Sequence, residues 1–432
     1  MEEYIKKLLE QVRFEKAHKA ISDEIRAHIE DQAEANISEG MDKETAEKRA
    51  VEDMGDPVET GIALDKVHRP QVAWSVVVAT LVVAVLGIVL RVFMERTGYF
   101  LHYERFIKAT IIGIILMLLL YFIDYTTVAK YSKVVGYLLL MAFVSCRLAK
   151  ILLYDSNVDN VLSDYNYVLM KSIYMVDILR PLIIPFFAGI IYKYRGQRNK
   201  GIIKAICCII ITFVAIYSGK SRDIEWSILI IGMLAELTIA VIKGWIEVKK
   251  KPVLISMWSA LGLFFVYHIY RLKAPFSSIY TAEDEMIRRH IKAAKLLGDN
   301  CNLGGYGVNI FTIAITMGIV IAIAIAAVII GLIVIGVMAV SKTKNQLGGV
   351  MAAGCLTWLT ANTVFNILSG FGIIPDPDQS SFLPFISGER TFEGLIASYA
   401  MLGIILSIYK YKNAYPEHVD ISIRSKDKDF AV

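Results

Sequence analysis

Two hydrophobic patterns divide this chain. Up to about residue 68, apolar positions recur at helical spacing between charged faces: Tyr4, Ile5, Leu8, Leu9 and Val12, then Ala20, Ile21, Ile25, Ile29 and Ala33. A third helix is predicted over about Lys43 to Met54, closed by Gly55, with Asp56-Pro57 starting the next turn. From Val72 the apolar residues run together in stretches long enough to cross a bilayer, which takes about 20 predominantly apolar residues. Ten such stretches stand out, roughly 73–94, 106–123, 134–153, 179–192, 202–217, 226–246, 252–270, 310–340, 348–371 and 391–409. The pattern predicts an all-α polytopic membrane protein with about ten transmembrane helices, preceded by a small cytosolic helical bundle. The expected divisions are a helical domain at 1–70, a transmembrane domain at 71–412 and a polar, disordered tail at 413–432.

Composition agrees: 56% of the 432 residues are hydrophobic, beyond the range of soluble domains. Charge moves the same boundary into view, because residues 1–70 carry a net −7 (11 Lys and Arg against 18 Asp and Glu) and the rest a net +12. The predicted loops alternate as well. Those at about 124–133, 193–201, 247–251 and 341–347 hold Lys and Arg, whereas 154–178, 271–309 and 372–390 are long, and two of these are acidic or nearly free of Lys. By the positive-inside rule both termini are expected in the cytosol, and the basic excess reads as membrane topology, with no nucleic-acid partner expected. The start, MEEYIKKLLEQ, lacks the short apolar core of a signal peptide. Five cysteines without a CxxC, four of them in apolar runs, and no histidine pair at ligand spacing predict neither disulfides nor a metal site, and no cofactor.

Chemistry is confined to a few places. Glu236 sits mid-span in WSILIIGMLAELTIAVIKGW, where an ionised side chain costs about 2.5–3.5 kcal/mol unless paired or wetted. It is therefore expected to face the bundle interior, as a cavity residue or as a structural partner for another span. Arg91 and Arg147, toward span ends, are expected to snorkel. The loop between the last two spans carries Pro375, Asp376, Pro377, Asp378, Glu389 and Arg390, and irregular backbone at such depth must be buried in protein or line a watery cavity. Arg390 offers planar paired donors that suit a bidentate oxyanion. On the preceding loop Asp299 stands beside Asn300 and ahead of Gly304-Gly305, a setting in which a lone Asp is more often a turn former. The basic amphipathic stretch YTAEDEMIRRHIKAAK there suits anionic head groups or a solvated face equally.

Asn366-Ile367, Gly370, Ile373-Ile374-Pro375 and Pro384-Phe385-Ile386-Ser387 together resemble the C-terminal signature of the SEDS family (shape, elongation, division and sporulation), which includes the FtsW, RodA and SpoVE groups. The family's following Tyr-Gly-Gly is replaced here by Gly388-Glu389-Arg390. The resemblance implies ten spans with both ends in the cytosol of a bacterium. It further implies polymerisation of the lipid-linked peptidoglycan precursor in division, shape maintenance or sporulation, beside a transpeptidase or another divisome or elongasome protein. The family's presumed catalytic Asp falls in register with Asn309, and an amide is no base, so Asp299 is the remaining candidate. Asn309, Asn366, Pro384, Ser387, Glu389, Arg390 and Glu236 are the implied cavity residues. The 1–70 block is similar to permease-prefix (HAAS) modules, which implies an interaction or regulatory role. Two other functions stay open: a non-catalytic scaffold or regulator of wall synthesis, and a lipid-precursor flippase keyed to Glu236.

Overall fold

The computed structural model describes residues 1–96, 103–155, 178–216, 225–273, 295–298, 308–371, 373–374, 382–387 and 392–421. Among them every regular element is helical. Four helices form the N-terminal bundle: α1 (Glu2–Leu9), α2 (Glu15–Ser38), α3 (Lys43–Asp53) and α4 (Pro57–His68). Tyr4, Ile5, Leu8, Ile21, Ile25 and Ile29 make its core, the positions picked out by the helical period. Gly55 takes φ +76° just past α3, the left-handed conformation a glycine adopts without strain. Asp56-Pro57, read from sequence as a turn, opens the additional helix α4: Asp56 accepts from the Glu59 amide at 3.2 Å and Pro57 takes the first helical position. Gly61 lets α4 cross α1, since a Cβ there would lie 2.5 Å from the Leu8 carbonyl.

The remaining helices are α5 (Trp74–Arg96), α6 (Tyr103–Phe122), α7 (Tyr125–Lys130), α8 (Ser132–Asp155), α9 (Ile183–Tyr192), α10 (Asn199–Ile216), α11 (Glu225–Ile242), α12 (Lys250–Lys273), α13 (Ile310–Thr316), α14 (Ile319–Val340), α15 (Gln346–Gly370) and α16 (Phe392–Lys410). Six of them (α5, α6, α10, α14, α15 and α16) are long and apolar enough to cross a membrane, and α9 and α11 are shorter apolar helices. With the 24-residue α8 and α12 they occupy the ten predicted stretches. One stretch differs: the run 310–340 is two helices, not one. Gly318 breaks it at φ +109°, where a Cβ would meet the Leu296 carbonyl at 2.5 Å and the Gly298 amide at 2.7 Å. The break is imposed by backbone packing that hydropathy does not record.

Helix α16 is the axis of the bundle, with 83% of its apolar stretch buried, against 28% for α6 and α14. Small residues set how closely α6 and α16 approach, as expected where lipid removes most of the hydrophobic drive between helices. Gly113 of α6 faces the Tyr399 ring, and Gly403 of α16 faces α6 backbone, a Cβ there lying 2.6 Å from the Met117 carbonyl oxygen and 2.9 Å from its Cα. Backbone cannot rotate away as a side chain can. Gly403→Val is therefore expected to lower the unfolding midpoint of the detergent-purified protein, at an overpacking cost of about 1–3 kcal/mol, with Gly403→Ala milder. An unchanged midpoint for the valine variant would refute this close approach.

Candidate functional site

At the end of the bundle away from the N-terminal helices, residues 382–387 form a buried turn. Pro384 restricts the chain at this point, and the amides of Ile386 and Ser387 both donate to the Leu383 carbonyl, at 3.1 and 2.9 Å. Ser387 locks the turn: its Oγ accepts from the Leu383 amide at 3.0 Å and donates to the Val308 carbonyl. The Ser387 hydroxyl is thus committed to fixing two loops to each other. Phe385 holds φ +66°, a conformation costing about 1–3 kcal/mol for a residue with a Cβ. Its ring, fully buried, packs edge-on to Tyr399 at 5.2 Å, and its carbonyl lies where a Cβ on Gly87 would approach within 3.0 Å.

Asn309 and Asn366 meet at the same place. Asn309 caps α13: its side-chain oxygen accepts from the Thr312 amide at 2.9 Å, while Thr312 Oγ1 accepts from the Asn309 amide at 3.0 Å. Asn366, on α15, accepts from the Ile310 amide at 3.2 Å through Oδ1. Gly370 admits α13 against α15, as a Cβ there would lie 2.9 Å from Ile310 Cγ2. Two of the four amides that the start of α13 leaves without helical partners are therefore served by asparagine oxygens.

Arg91 belongs to this cluster, contrary to the snorkelling expected from its sequence position. It is fully buried, donates from Nη2 to the Ile386 carbonyl at 3.2 Å, and stacks its guanidinium 4.1 Å from the Phe106 ring centroid. The sequence signal was a glycine, Gly87, one turn earlier on the same helix face, which lets the 382–387 turn come close enough for an arginine to reach it. Arg147 is half-buried and donates to the Val214 carbonyl of α10.

Glu236 lies elsewhere. It is fully buried on α11 against α15, its carboxyl fills the space a Cβ on Gly354 would take, and among the described residues neither oxygen has a hydrogen-bond partner. The twelve residues of α15 from Gly354 to Asn366 separate Glu236 from the asparagine cluster by about 18 Å at the helical rise. The structure thus joins Asn309, Asn366, Pro384 and Ser387, adds Arg91, and sets Glu236 apart. Asp299, Glu389 and Arg390 lie outside the described residues. Among the described residues no three His, Cys, Asp or Glu side chains are placed to hold a metal.

This architecture, with α16 as its axis and a Pro-Phe-Ile-Ser turn pinned to the start of α13, has counterparts among solved structures. The chain shares its fold with RodA. The Rod shape determining protein RodA of Thermus thermophilus superposes with a TM-score of 0.52 at 14% identity, over 78% of this chain and 97% of that one. A mutant of the same protein, with one aspartate replaced by alanine, gives 0.53 over the same shares. A chain from a peptidoglycan synthase complex, described for its structural coordination of polymerization and crosslinking, gives 0.56 at 14% identity, over 78% of this chain and 98% of that one. No protein-family model and no curated protein matches the sequence. About a fifth of this chain has no equivalent in those folds.

Proposed function

We propose that this chain is a SEDS-type membrane protein of bacterial cell-wall synthesis, which takes the lipid-linked peptidoglycan precursor at the end of the bundle holding the 382–387 turn. The observation that carries the proposal is the Ser387–Val308 hydrogen bond within a RodA-like fold. It ties the start of the segment bearing Glu389 and Arg390 to the end of the segment bearing Asp299, the polar groups available to a pyrophosphate and to a sugar hydroxyl. In the enzyme form of this function Asp299 takes the proton of the attacking hydroxyl, Arg390 pairs with the pyrophosphate leaving group, and a transpeptidase works alongside on the polymer. Process and partner, whether division, shape or sporulation, follow from the cell. The same proposal places the protein in the bacterial cytoplasmic membrane, with residues 1–70 as a cytosolic interaction module.

One observation favours a second form, a non-catalytic scaffold or regulator that binds the precursor or a wall synthase. Asn309 stands where the resemblance expects the catalytic Asp, and its oxygen is engaged in a helix cap. Purified protein in liposomes with lipid-linked disaccharide-pentapeptide and a candidate transpeptidase separates these forms. Polymer from wild type that is lost in Asp299→Ala and kept in Glu236→Ala supports the enzyme. Polymer only from Asn309→Asp, which keeps the cap because Asp caps as well as Asn, supports a binding-competent relative. Failure of every variant to polymerise or to bind the precursor overturns the proposal.

A further inference from the structure

At the end of the bundle that carries the N-terminal helices, lysines of two helices lie over one tyrosine, and a third lysine precedes that tyrosine in the chain. Lys133 opens α8, Lys204 lies in the second turn of α10, and Lys193 immediately precedes Tyr194 just past α9. The Lys133 and Lys204 ammonium nitrogens lie 5.7 and 5.5 Å from the centre of the Tyr194 ring. Lys193 donates to the Lys130 carbonyl at 2.7 Å and Lys204 to Gln197 Oε1 at 2.9 Å. Among the described residues no carboxylate forms an ion pair with any of the three. Burial, and after it the neighbouring Lys133, hold the Lys193 ammonium below its ordinary pKa. Membrane topology accounts for lysines at this end of the bundle. It does not account for the convergence of Lys133 and Lys204 on one half-buried ring.

What lies beneath the cluster selects the ligand. One turn further along α8, Tyr137 and then Met141 stand exposed, at 68% and 66%. Helices α8 and α10 pack together along this seam, and Arg147 of α8 closes its far end on the Val214 carbonyl of α10. From Lys133 to Arg147 the seam runs about 21 Å at the helical rise, enough for an acyl chain that fills one leaflet of about 15 Å, half the usual hydrocarbon thickness. Cations at the rim above an apolar seam match an anionic phospholipid. We infer that Lys133, Lys193 and Lys204, around Tyr194, form a head-group site for an anionic glycerophospholipid of the leaflet on the N-terminal side, with an acyl chain along the α8–α10 seam.

The test uses the full chain in neutral detergent, titrated with dioleoyl phosphatidylglycerol or dioleoyl phosphatidylcholine and read as bound lipid by native mass spectrometry. Wild type is expected to prefer phosphatidylglycerol. The double variant Lys133→Gln/Lys204→Gln is expected to lose roughly 30-fold in that affinity, from the usual gain per lysine at an anionic surface, with its thermal midpoint unchanged. Lys249→Gln/Lys251→Gln, which removes equal charge where the chain enters α12 at the same end, is expected to leave the affinity as it is. Equal binding of the two lipids by wild type, or equal losses in the two double variants, overturns the inference. So does displacement of phosphatidylglycerol by inorganic phosphate of matching affinity, which makes the ligand a soluble phosphate.

Discussion

Arg91→Ala is expected to lower the unfolding midpoint of the detergent-purified protein markedly, and by much more than Arg147→Ala. Arg91 is fully buried and reaches across from α5 to the Ile386 carbonyl, whereas Arg147 is half-buried at a helix seam. The substitution removes three things together. The Ile386 carbonyl loses a charged donor, which costs about 1–3 kcal/mol when the group stays buried. The desolvated stacking on Phe106 is worth about 2 kcal/mol. A cavity is left beside Gly87, and cavities in packed cores add their own cost. Even with partial relaxation the loss should reach about 3 kcal/mol. That is comparable to the strain held at Phe385, so the turn should also loosen. Precursor binding or polymerisation should therefore fall further in Arg91→Ala than global stability accounts for. Arg91→Lys, which keeps the charge without the planar guanidinium over Phe106, should lie between. A midpoint for Arg91→Ala equal to wild type would show that the arginine does not hold the turn.

How far sequence reached can be seen from particular residues. Hydrophobic runs mark membrane helices because a bilayer demands a long apolar surface, and the ten stretches fall on the observed helices for that reason. The same logic is blind inside a run. Nothing in IVIAIAIAAVIIGLIVIGVMAV or the residues before it announces that Gly318 turns to positive φ, because the cause is backbone from 296–298 lying against it. The cap at Asn309 was not read from the sequence, where that residue entered only as the counterpart of the family's Asp, although Thr312 three residues on and an apolar run after it mark a helix start. That Asn366 and Ser387 would converge on the same helix start was carried only by the resemblance, since the pairs lie 56 and 79 residues apart. Arg91 was misjudged because hydropathy gives depth along a span and not which way a side chain faces. Helix α4 was missed because Asp-Pro signals a turn and a helix start alike, and the charged stretch after it shows only a weak apolar face.

The second large effect is expected at the opposite end of α16. Asp124, 6% exposed, caps α7 through the Thr126 amide at 2.9 Å and also accepts from Thr126 Oγ1, from the Lys16 ammonium at 2.7 Å and from the Tyr415 hydroxyl. Burial and that carboxylate raise the Tyr415 phenol well above its ordinary pKa, so it stays a donor. Lys16 belongs to α2, and its neighbour Phe14 stacks on Tyr411 at 5.7 Å. His68 bonds the Asn413 carbonyl at 2.6 Å, and Asn413 donates to the Val67 carbonyl at 2.9 Å. The N-terminal bundle is thus fastened to the residues that directly follow α16. Asp124→Ala removes the cap and strands Lys16 and Tyr415, for an expected loss of about 2–4 kcal/mol. It should also speed hydrogen exchange at residues 66–73, where the bundle joins α5. Asp124→Asn separates the causes: it keeps the α7 cap but drops the charge that holds Lys16. If docking rests on that charge, exchange at 66–73 should rise in both variants, while the midpoint falls mainly in Asp124→Ala. Slow exchange in both would show that Phe14, His68 and Asn413 dock the bundle without Asp124. Because α16 carries Tyr399 against Phe385 at its other half, release of the bundle would reach the 382–387 turn through a single buried helix.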